Sequence, residues 1–448
     1  MAINPADSPI FGTLYGEDRM RAIWDERAYL QRMLDVEAAL ASVQARLGLI
    51  PEAAASAIVA AARVENLRAD ELAASVRNVG YPVVGLVNGL SRAAGEEAGR
   101  WTHWGATTQD IMDTATVLQV RAGLDLIQSE LAAIAEALAT QADRHRHTVM
   151  PGRTHLQHAL PTTFGLKCAI WLMPLLDHLE RLAQLRPRVE QAEFGGAAGT
   201  LASLGDQGLA VMEGLASDLG LAAPAAPWHV ARDAPAETVS FLGLLCGSLA
   251  KMATDIILLA QTEIGEVSEP YIAGRGGSST MPQKRNPIAS EYIIAAQRGV
   301  QALVPLMQGA MADDHERGTG PWQAELLVLP QAFVLTAGAL LHARTIAEGM
   351  VVDAPRMRRN LEASGGTIMA EAVMMGLAPK LGREAAHHAV KRATDTAFAD
   401  GIGLAQALMR QGEVVAIIDE EAIALLTDPA NYLGASQSFI DRVLARMT

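Results

Sequence analysis

The sequence predicts an all-α protein in which long helices pack into a bundle. Half of its 448 residues are hydrophobic but only 4% are aromatic, so the apolar residues are mostly Ala, Leu, Val, Ile and Met. Ala and Leu favour helices, whereas the aromatic residues that favour strands are scarce. At roughly 150 residues per domain, this length predicts about three domains.

Long helices are indicated by apolar residues that recur at alternating intervals of three and four, the pattern of one helix face. These stripes occupy residues 33–47, 117–138, 242–259 and 293–307. The first is followed by Gly48 and Pro51, which are helix stop signals. A repeat near 3.5 residues over several turns predicts helices that pack at shallow angles, as in a coiled coil or an extended bundle.

We predict three helical domains from the distribution of these stripes. Residues 1–107 form a small N-terminal domain, and residues 108–350 form a central domain of long helices that takes part in a multi-subunit bundle. The stripes become shorter after Asp353, which predicts a C-terminal helical domain over residues 351–448.

The charge balance excludes some partners. Asp and Glu number 50 against 36 Lys and Arg, a formal net charge of −14. Nucleic-acid binding requires Lys and Arg to neutralise phosphates, so we expect no nucleic-acid partner. A small anionic substrate in a locally basic pocket remains compatible with this charge.

The compartment is predicted from cysteine usage and from the apolar segments. Cys168 and Cys246 are too few for a disulfide framework or a Cys-rich zinc site. The first 20 residues lack a basic segment followed by an apolar run, so we expect no signal peptide. Residues 241–261 are interrupted by Lys251 and Asp255, which favours a core helix over a membrane span. We therefore expect a cytoplasmic protein without a membrane partner.

The segment 274–287 is the strongest candidate for a binding loop. It contains three glycines and two serines, and its free backbone N–H groups suit an anion. Lys284, Arg285 and Asn286 add side-chain donors. The segment is neither a Walker loop nor a nucleophile elbow, because the closing residues of both motifs are missing. A plain surface turn is the alternative.

Histidines supply the second set of candidates. His155 and His158 are three residues apart and would share a helix face, as metal ligands can. The chain has no H-E-x-x-H motif and no cysteine cluster, so we expect neither a metal nor a cofactor. His103 and His155 lie beside Thr, Gly and Gln at predicted junctions, where catalytic and structural roles are both open.

Three segments resemble the signatures of the fumarase/aspartase superfamily. Residues 277–286, Gly-Ser-Ser-Thr-Met-Pro-Gln-Lys-Arg-Asn, resemble its G-S-S-x-M-P-x-K-x-N motif. Residues 103–110 resemble H-x-G-x-T-S-x-D, with Thr108 where Ser is usual, and residues 154–157 resemble T-H-x-Q. The resemblance extends along nearly the whole chain. It implies a homotetramer whose active sites each take residues from three chains.

Within the superfamily, the chain resembles the 3-carboxy-cis,cis-muconate cycloisomerase branch, through segments such as residues 194–199 and 227–233. It is also similar to the adenylosuccinate lyases, but Leu14 stands where those enzymes have Arg. Residues 318–323 also lack the run rich in Ser and His that is associated with the nucleotide phosphate in adenylosuccinate lyases. This difference argues against a nucleotide substrate. His155 is typical of C–N lyases that release fumarate, whereas the cycloisomerase branch can carry Trp there.

The resemblance implies removal of a proton beside a carboxylate, through an aci-carboxylate dianion. Ser278 would be the base (with Ser279 as the alternative), His155 the acid for the leaving group, and Lys284 the group that stabilises the alkoxide. Glu316 would support His155. The implied substrate-binding residues are His103, Thr107, Thr108, Gln109, Thr154, Gln157, Ser279, Met281, Asn286 and Arg317.

Three hypotheses for the function follow. The first is a lyase or cycloisomerase that acts on a small polycarboxylate in the catabolism of aromatic compounds. The second is a C–N lyase that releases fumarate from an N-succinyl amine or amino acid, which His155 favours. The third is a structural or binding protein that kept the fold and lost the chemistry.

Overall fold

A computed structural model describes residues 4–271, 276–277, 280–281 and 283–447. Within this part of the chain most residues are helical, and the only sheets are two pairs of short strands. The all-α fold class is therefore confirmed.

The helices differ widely in length. The first group comprises α1 (Gly12–Tyr15), α2 (Asp18–Trp24), α3 (Glu26–Arg46), α4 (Glu52–Ala61), α5 (Ala69–Val79), α6 (Val83–Ala94) and α7 (Glu96–Gly99). The central group comprises α8 (Thr108–Arg144), α9 (Phe164–Val189), α10 (Gly208–Asp218), α11 (Asp233–Ala260), α12 (Ile288–Gly309) and α13 (Pro321–Gly349). The last group comprises α14 (Ala354–Glu362), α15 (Ala370–Leu381), α16 (Arg383–Asp400), α17 (Leu404–Met409), α18 (Gly412–Val415), α19 (Glu420–Thr427) and α20 (Ser436–Leu444).

Each predicted apolar stripe lies in one long helix: α3, α8, α11 or α12. In α8, the stripe residues Leu124, Ile127, Leu131 and Ile134 are fully buried. With 37 residues, this helix is about 55 Å long, since an α-helix rises 1.5 Å per residue. The long helices predicted from the sequence are confirmed.

A β-hairpin formed by β1 (Val149–Thr154) and β2 (Gln157–Thr163) was not predicted from the sequence. Pro151 and Pro161 face each other across it, and two prolines this close disfavour a helix because each lacks a backbone N–H. His155 lies in the turn and His158 on β2, so the expectation that these two histidines share a helix face is wrong. A second pair joins β3 (Val267–Ser268) to β4 (Val351–Val352).

The chain divides into two compact units. The first combines Met1–Leu131, His178–Leu249 and Tyr292–Leu341, and the second combines Ala132–Asp177, Ala250–Glu291 and His342–Thr448. Because each unit is assembled from separate stretches, the three continuous domains predicted above stay a prediction.

Each unit has its own apolar core. In the first, Met33 and Leu40 of α3 belong to the same buried cluster as Leu118 of α8 and Phe194. In the second, one buried cluster is formed by the C-terminal helices and includes Val373 and Leu408.

Helices α11 and α13 are long and apolar enough to cross a membrane by length and composition alone. Two-thirds (67%) of the most apolar window of α13 is buried within the protein, against 44% for α11. Along α11, Leu242, Leu245 and Leu249 are also buried. Burial of this kind is typical of core helices, in agreement with the prediction for residues 241–261.

Candidate active site

His103 is held by a buried carboxylate in the first unit. Its Nδ1 lies 2.6 Å from Oε1 of Glu37, a residue of α3 that is only 1% exposed. Burial by itself lowers the pKa of His103, but the charge and hydrogen bond of Glu37 outweigh it and raise that pKa above its ordinary value. Glu37 thereby makes the ring easier to protonate than a free histidine, which suits contact with a substrate carboxylate.

Asp110 organises the backbone around Thr107. Its Oδ2 accepts hydrogen bonds from the N–H groups of Thr107 at 2.9 Å and Gly196 at 3.0 Å. Its Oδ1 accepts from Gly195 N–H at 2.9 Å and lies 2.7 Å from Nε2 of His229. This fully buried carboxylate thereby fixes the start of α8 against the glycine-rich segment that contains Gly195 and Gly196. Thr108 is the first residue of that helix.

Arg317 lies beside the same backbone. Its guanidinium donates to Oγ1 of Thr107 at 3.4 Å and to the carbonyl oxygens of Gly196 and Ala197 at 3.4 and 3.0 Å. The predicted binding residues Arg317 and Thr107 are therefore neighbours, although 210 positions separate them. Glu316 is exposed, and its supporting role stays a prediction.

Gln109 is 1% exposed. Its amide donates to Oδ2 of Asp113 at 3.0 Å and to the carbonyl of His229 at 2.8 Å. The side chain thus belongs to an interior hydrogen-bond network, and its assignment to substrate binding stays a prediction.

Sequence reasoning missed a buried network of ion pairs in the first unit. Arg232 pairs with Asp113 at 2.7 Å and Glu325 at 2.6 Å, and all three side chains are at most 5% exposed. Trp322 donates its indole N–H to Asp113 at 2.9 Å. The available sequence signal was Glu325, a charged residue next to the apolar run 326–330. A charge buried in such a run needs a partner of opposite charge.

Asp110, Glu193 and His229 are the one group in the described part of the chain whose ligand atoms, all within 4.8 Å of one another, could hold a metal. Burial, helped by the charges of Asp113 and Asp110, raises the pKa of Glu193 to about 9. Its carboxyl is therefore neutral at pH 7. With Asp110 already hydrogen-bonded through both oxygens, hydrogen bonding accounts for this group, and the expected absence of a metal stays a prediction.

The hairpin in the second unit carries Thr154, His155 and Gln157. Thr154 and Gln157 pair across its end, and His155 is exposed in the turn with a left-handed φ of 50°. Close to the turn of the hairpin, both terminal nitrogens of Arg153 donate to buried Glu266, at 2.9 and 2.6 Å. This bidentate pair anchors the strand that presents His155.

The described part of segment 274–287, the signature loop, also lies in the second unit. Ser278 and Ser279 are outside the described residues. The N–H of Asn286 donates to the carbonyl of Gly276 at 3.0 Å, so the two ends of the loop lie together. The N–H of Lys284 donates to the carbonyl of Met281 at 3.1 Å, and both side chains are exposed.

Comparison with known proteins adds to this geometry. Residues 15–302 match a family model described as lyase, and residues 366–443 match one described as adenylosuccinate lyase C-terminus. The chain is 47% identical to 3-carboxy-cis,cis-muconate cycloisomerase from Pseudomonas aeruginosa, over 97% of this chain and 96% of the relative. It is 46% identical to trans-aconitate decarboxylase 1 from Mycosarcoma maydis, over 97% and 88%.

Among solved structures, the chain is similar to 3-carboxy-cis,cis-muconate lactonizing enzyme from Pseudomonas putida. The TM-score is 0.94 at 43% identity, and the match covers 98% of this chain and 99% of that one.

Proposed function

The chain belongs to the fumarase/aspartase superfamily, and we propose that it is a cycloisomerase acting on a small polycarboxylate of the 3-carboxy-cis,cis-muconate type. The observation that carries this proposal is the similarity, along nearly the whole chain, to the Pseudomonas aeruginosa enzyme. Membership makes the chain a lyase or cycloisomerase, which sets aside the hypothesis of a structural or binding protein. The proposal assigns it to the catabolism of aromatic compounds.

The proposed reaction passes through a carbon acid. In the eliminating direction, a proton leaves the carbon beside a carboxylate, and its electron pair moves into that carboxylate to form an aci-carboxylate dianion. The β-substituent then departs with its bonding electrons. Lactone closure reverses these steps: a carboxylate oxygen adds to the C=C bond, and a proton is delivered to the neighbouring carbon.

Ser278 is the proposed base and His155 the proposed acid. A serine hydroxyl is a weak base in water, so its alkoxide must be stabilised by Lys284 and by backbone N–H groups of the loop. The exposed turn position of His155 leaves its ring free to meet the leaving oxygen.

The dianion also needs donors for its charge, since such stabilisation is usually the largest catalytic contribution. Thr107 and Thr108 lie at the N-terminal end of α8, where the helix dipole favours negative charge. Glu37 raises the pKa of His103 above its ordinary value, and Arg317 lies beside Thr107. Thr154, Gln157, Met281 and Asn286 complete the proposed contacts.

We assign the assembled site to a homotetramer in the cytoplasm, without nucleic-acid or membrane partners. Three chains contribute to each site: one the region of Thr107, one the hairpin and one the signature loop. Large apolar side chains exposed on the long helices support this assembly, because wide apolar surfaces mark interfaces. Examples are Ile170 at 51%, Met173 at 44% and Leu244 at 59% exposure.

A C–N lyase that releases fumarate is the second candidate, and His155 is the residue that favours it. An ultraviolet assay separates the two candidates, with 3-carboxy-cis,cis-muconate tested beside argininosuccinate, adenylosuccinate and aspartate. Lactone formation supports the cycloisomerase, and fumarate release from an amine selects the lyase.

A further inference from the structure

A pocket of about 380 Å³ lies beside the hairpin in the second unit, and none of its lining residues contacts the substrate in the proposed reaction. We propose that it binds an organic acid with an apolar body, such as an arylcarboxylate, whose carboxylate pairs with Lys167. The lining residues that carry this inference are Arg153, His158, Lys167, Leu258, Leu259 and Ile264.

Lys167 lacks a hydrogen-bond partner among the described residues. Its ammonium lies 3.9 Å from Oδ2 of Asp255, beyond hydrogen-bonding distance, although its side chain is only 27% exposed. The same Asp255 oxygen accepts from the indole N–H of Trp171 at 2.8 Å and from Lys251 at 2.6 Å. Oδ2 of Asp255 is thus occupied by two other donors, and Lys167 retains donors for a ligand.

The charges around the pocket leave one positive charge in excess. Arg153, Lys167 and Lys251 are cations, while Glu266 and Asp255 are anions, which gives 3 − 2 = +1. The Arg153–Glu266 pair is closed, since Glu266 also accepts from Asn360 at 2.7 Å. The excess charge therefore resides at Lys167.

The electrostatics at Lys167 favour the binding of an anion. Burial lowers the pKa of its ammonium, with the neighbouring cations Lys251 and Arg153 contributing and the carboxylates Asp255 and Glu266 opposing. A bound carboxylate would relieve this destabilisation of the charged form. His158 faces Arg153 across the hairpin and adds a ring nitrogen to the same wall.

The remaining wall bears on the class of acid. Leu258, Leu259 and Ile264 give it apolar surface, which suits a hydrocarbon body. Of the two amide side chains in the same lining, Gln261 and Asn360, Asn360 already donates to Glu266 and to the carbonyl of Ile264. Small-molecule sites typically measure about 300–1,000 Å³, so this volume suits a single-ring ligand. One excess cation beside an apolar wall matches a monocarboxylate, in contrast to the polycarboxylate proposed for the reacting site.

Calorimetric titration of the full-length protein with benzoate, and with its neutral analogue benzamide, tests this inference. We expect benzoate to bind at least about tenfold more tightly, a difference of about 1.4 kcal/mol. Lys167→Met should abolish that preference, and Lys167→Arg, which keeps the charge, should retain it. Lys391→Met is the matched control, since Lys391 pairs with Asp395 on an exposed face of α16, and it should leave both affinities unchanged.

A Lys284→Met variant separates this pocket from the proposed reacting site. Retained benzoate preference in that variant supports the assignment, and its loss would locate benzoate at the signature loop and overturn it. Equal affinities for benzoate and benzamide in the wild type, or an undiminished preference in folded Lys167→Met, would also overturn it. If Lys167→Met does not fold, the comparison of benzoate with benzamide in the wild type and in Lys284→Met still tests the proposal.

Discussion

The buried carboxylate of Asp110 accepts the backbone N–H of Thr107 at 2.9 Å. The same side chain also binds two backbone N–H groups of the glycine-rich segment and lies beside His229. Thr107 is therefore positioned by a residue that is itself fully buried. Geometry in this region should depend on Asp110 more than on any contact that Thr107 makes with its own side chain.

Asp110→Asn replaces one acceptor oxygen with an amide that faces N–H donors. A buried donor left unsatisfied costs about 1–3 kcal/mol, so we expect the free energy of unfolding to fall by that amount and KM to rise. Urea denaturation and steady-state kinetics measure the two effects. Asp125→Asn is the control, because Asp125 is also on α8 but is 65% exposed. Equal stability and KM in Asp110→Asn and wild type would contradict this role.

Glu37→Gln should lower the pKa of His103. The carboxylate raises that pKa against the opposing effect of burial, so its removal leaves burial to act alone. In the wild type, the stability contributed by this pair is complete below the ordinary pKa of histidine, about 6.5, and is lost as pH rises through the raised pKa of the folded state. NMR titration of the His103 ring measures the shift. Glu384→Gln, at an exposed position of α16, serves as control, and an unchanged His103 titration in Glu37→Gln would refute the assignment.

Glu193→Gln should remove a pH dependence of stability. The folded protein holds the Glu193 proton up to a pKa of about 9, whereas the unfolded chain releases it near the ordinary value of 4.5. Stability therefore falls as pH rises between these two values, because the unfolded state binds fewer protons there. We expect Glu193→Gln to flatten that slope in denaturation series across the interval. Glu213→Gln, at an exposed site of α10, should keep it; identical slopes in all three proteins would rule out a neutral Glu193.

Ser278→Ala tests the proposed base. A general base is typically worth about 10²–10⁴-fold in rate, so turnover should fall by that factor while thermal unfolding is unchanged. Ser279→Ala is the neighbouring comparison: because Ser279 is assigned to substrate binding, it should raise KM while retaining most of the turnover. Near-wild-type turnover in Ser278→Ala, or a full loss in Ser279→Ala alone, would transfer the role to Ser279.

The long helices were predictable because their stripes repeat over many turns, as in the buried series from Leu124 to Ile134. The hairpin was not predictable. Its pairing joins Val149 to Thr163, and in neither strand do apolar and polar residues alternate over enough positions to indicate a strand. His155 was recognised from its motif, but its position in a left-handed turn follows only from that pairing.

The site was partly predictable for a similar reason. Motifs identified His103 and Thr107, and Asp110, which holds Thr107, belongs to the same motif. The partners of His103 and of Asp110 lie far away along the chain. Glu37 is 66 positions from His103, and His229 is 119 positions from Asp110. Periodicity reports which face of a helix is buried, and it does not report which polar groups meet there.

The central claim is the reaction itself, and the most direct measurement is the ultraviolet assay of the purified enzyme with 3-carboxy-cis,cis-muconate. The account predicts loss of the conjugated diene absorbance, with formation of a lactone that retains every atom of the substrate. No turnover of this compound, together with fumarate release from an N-succinyl amine, would contradict it.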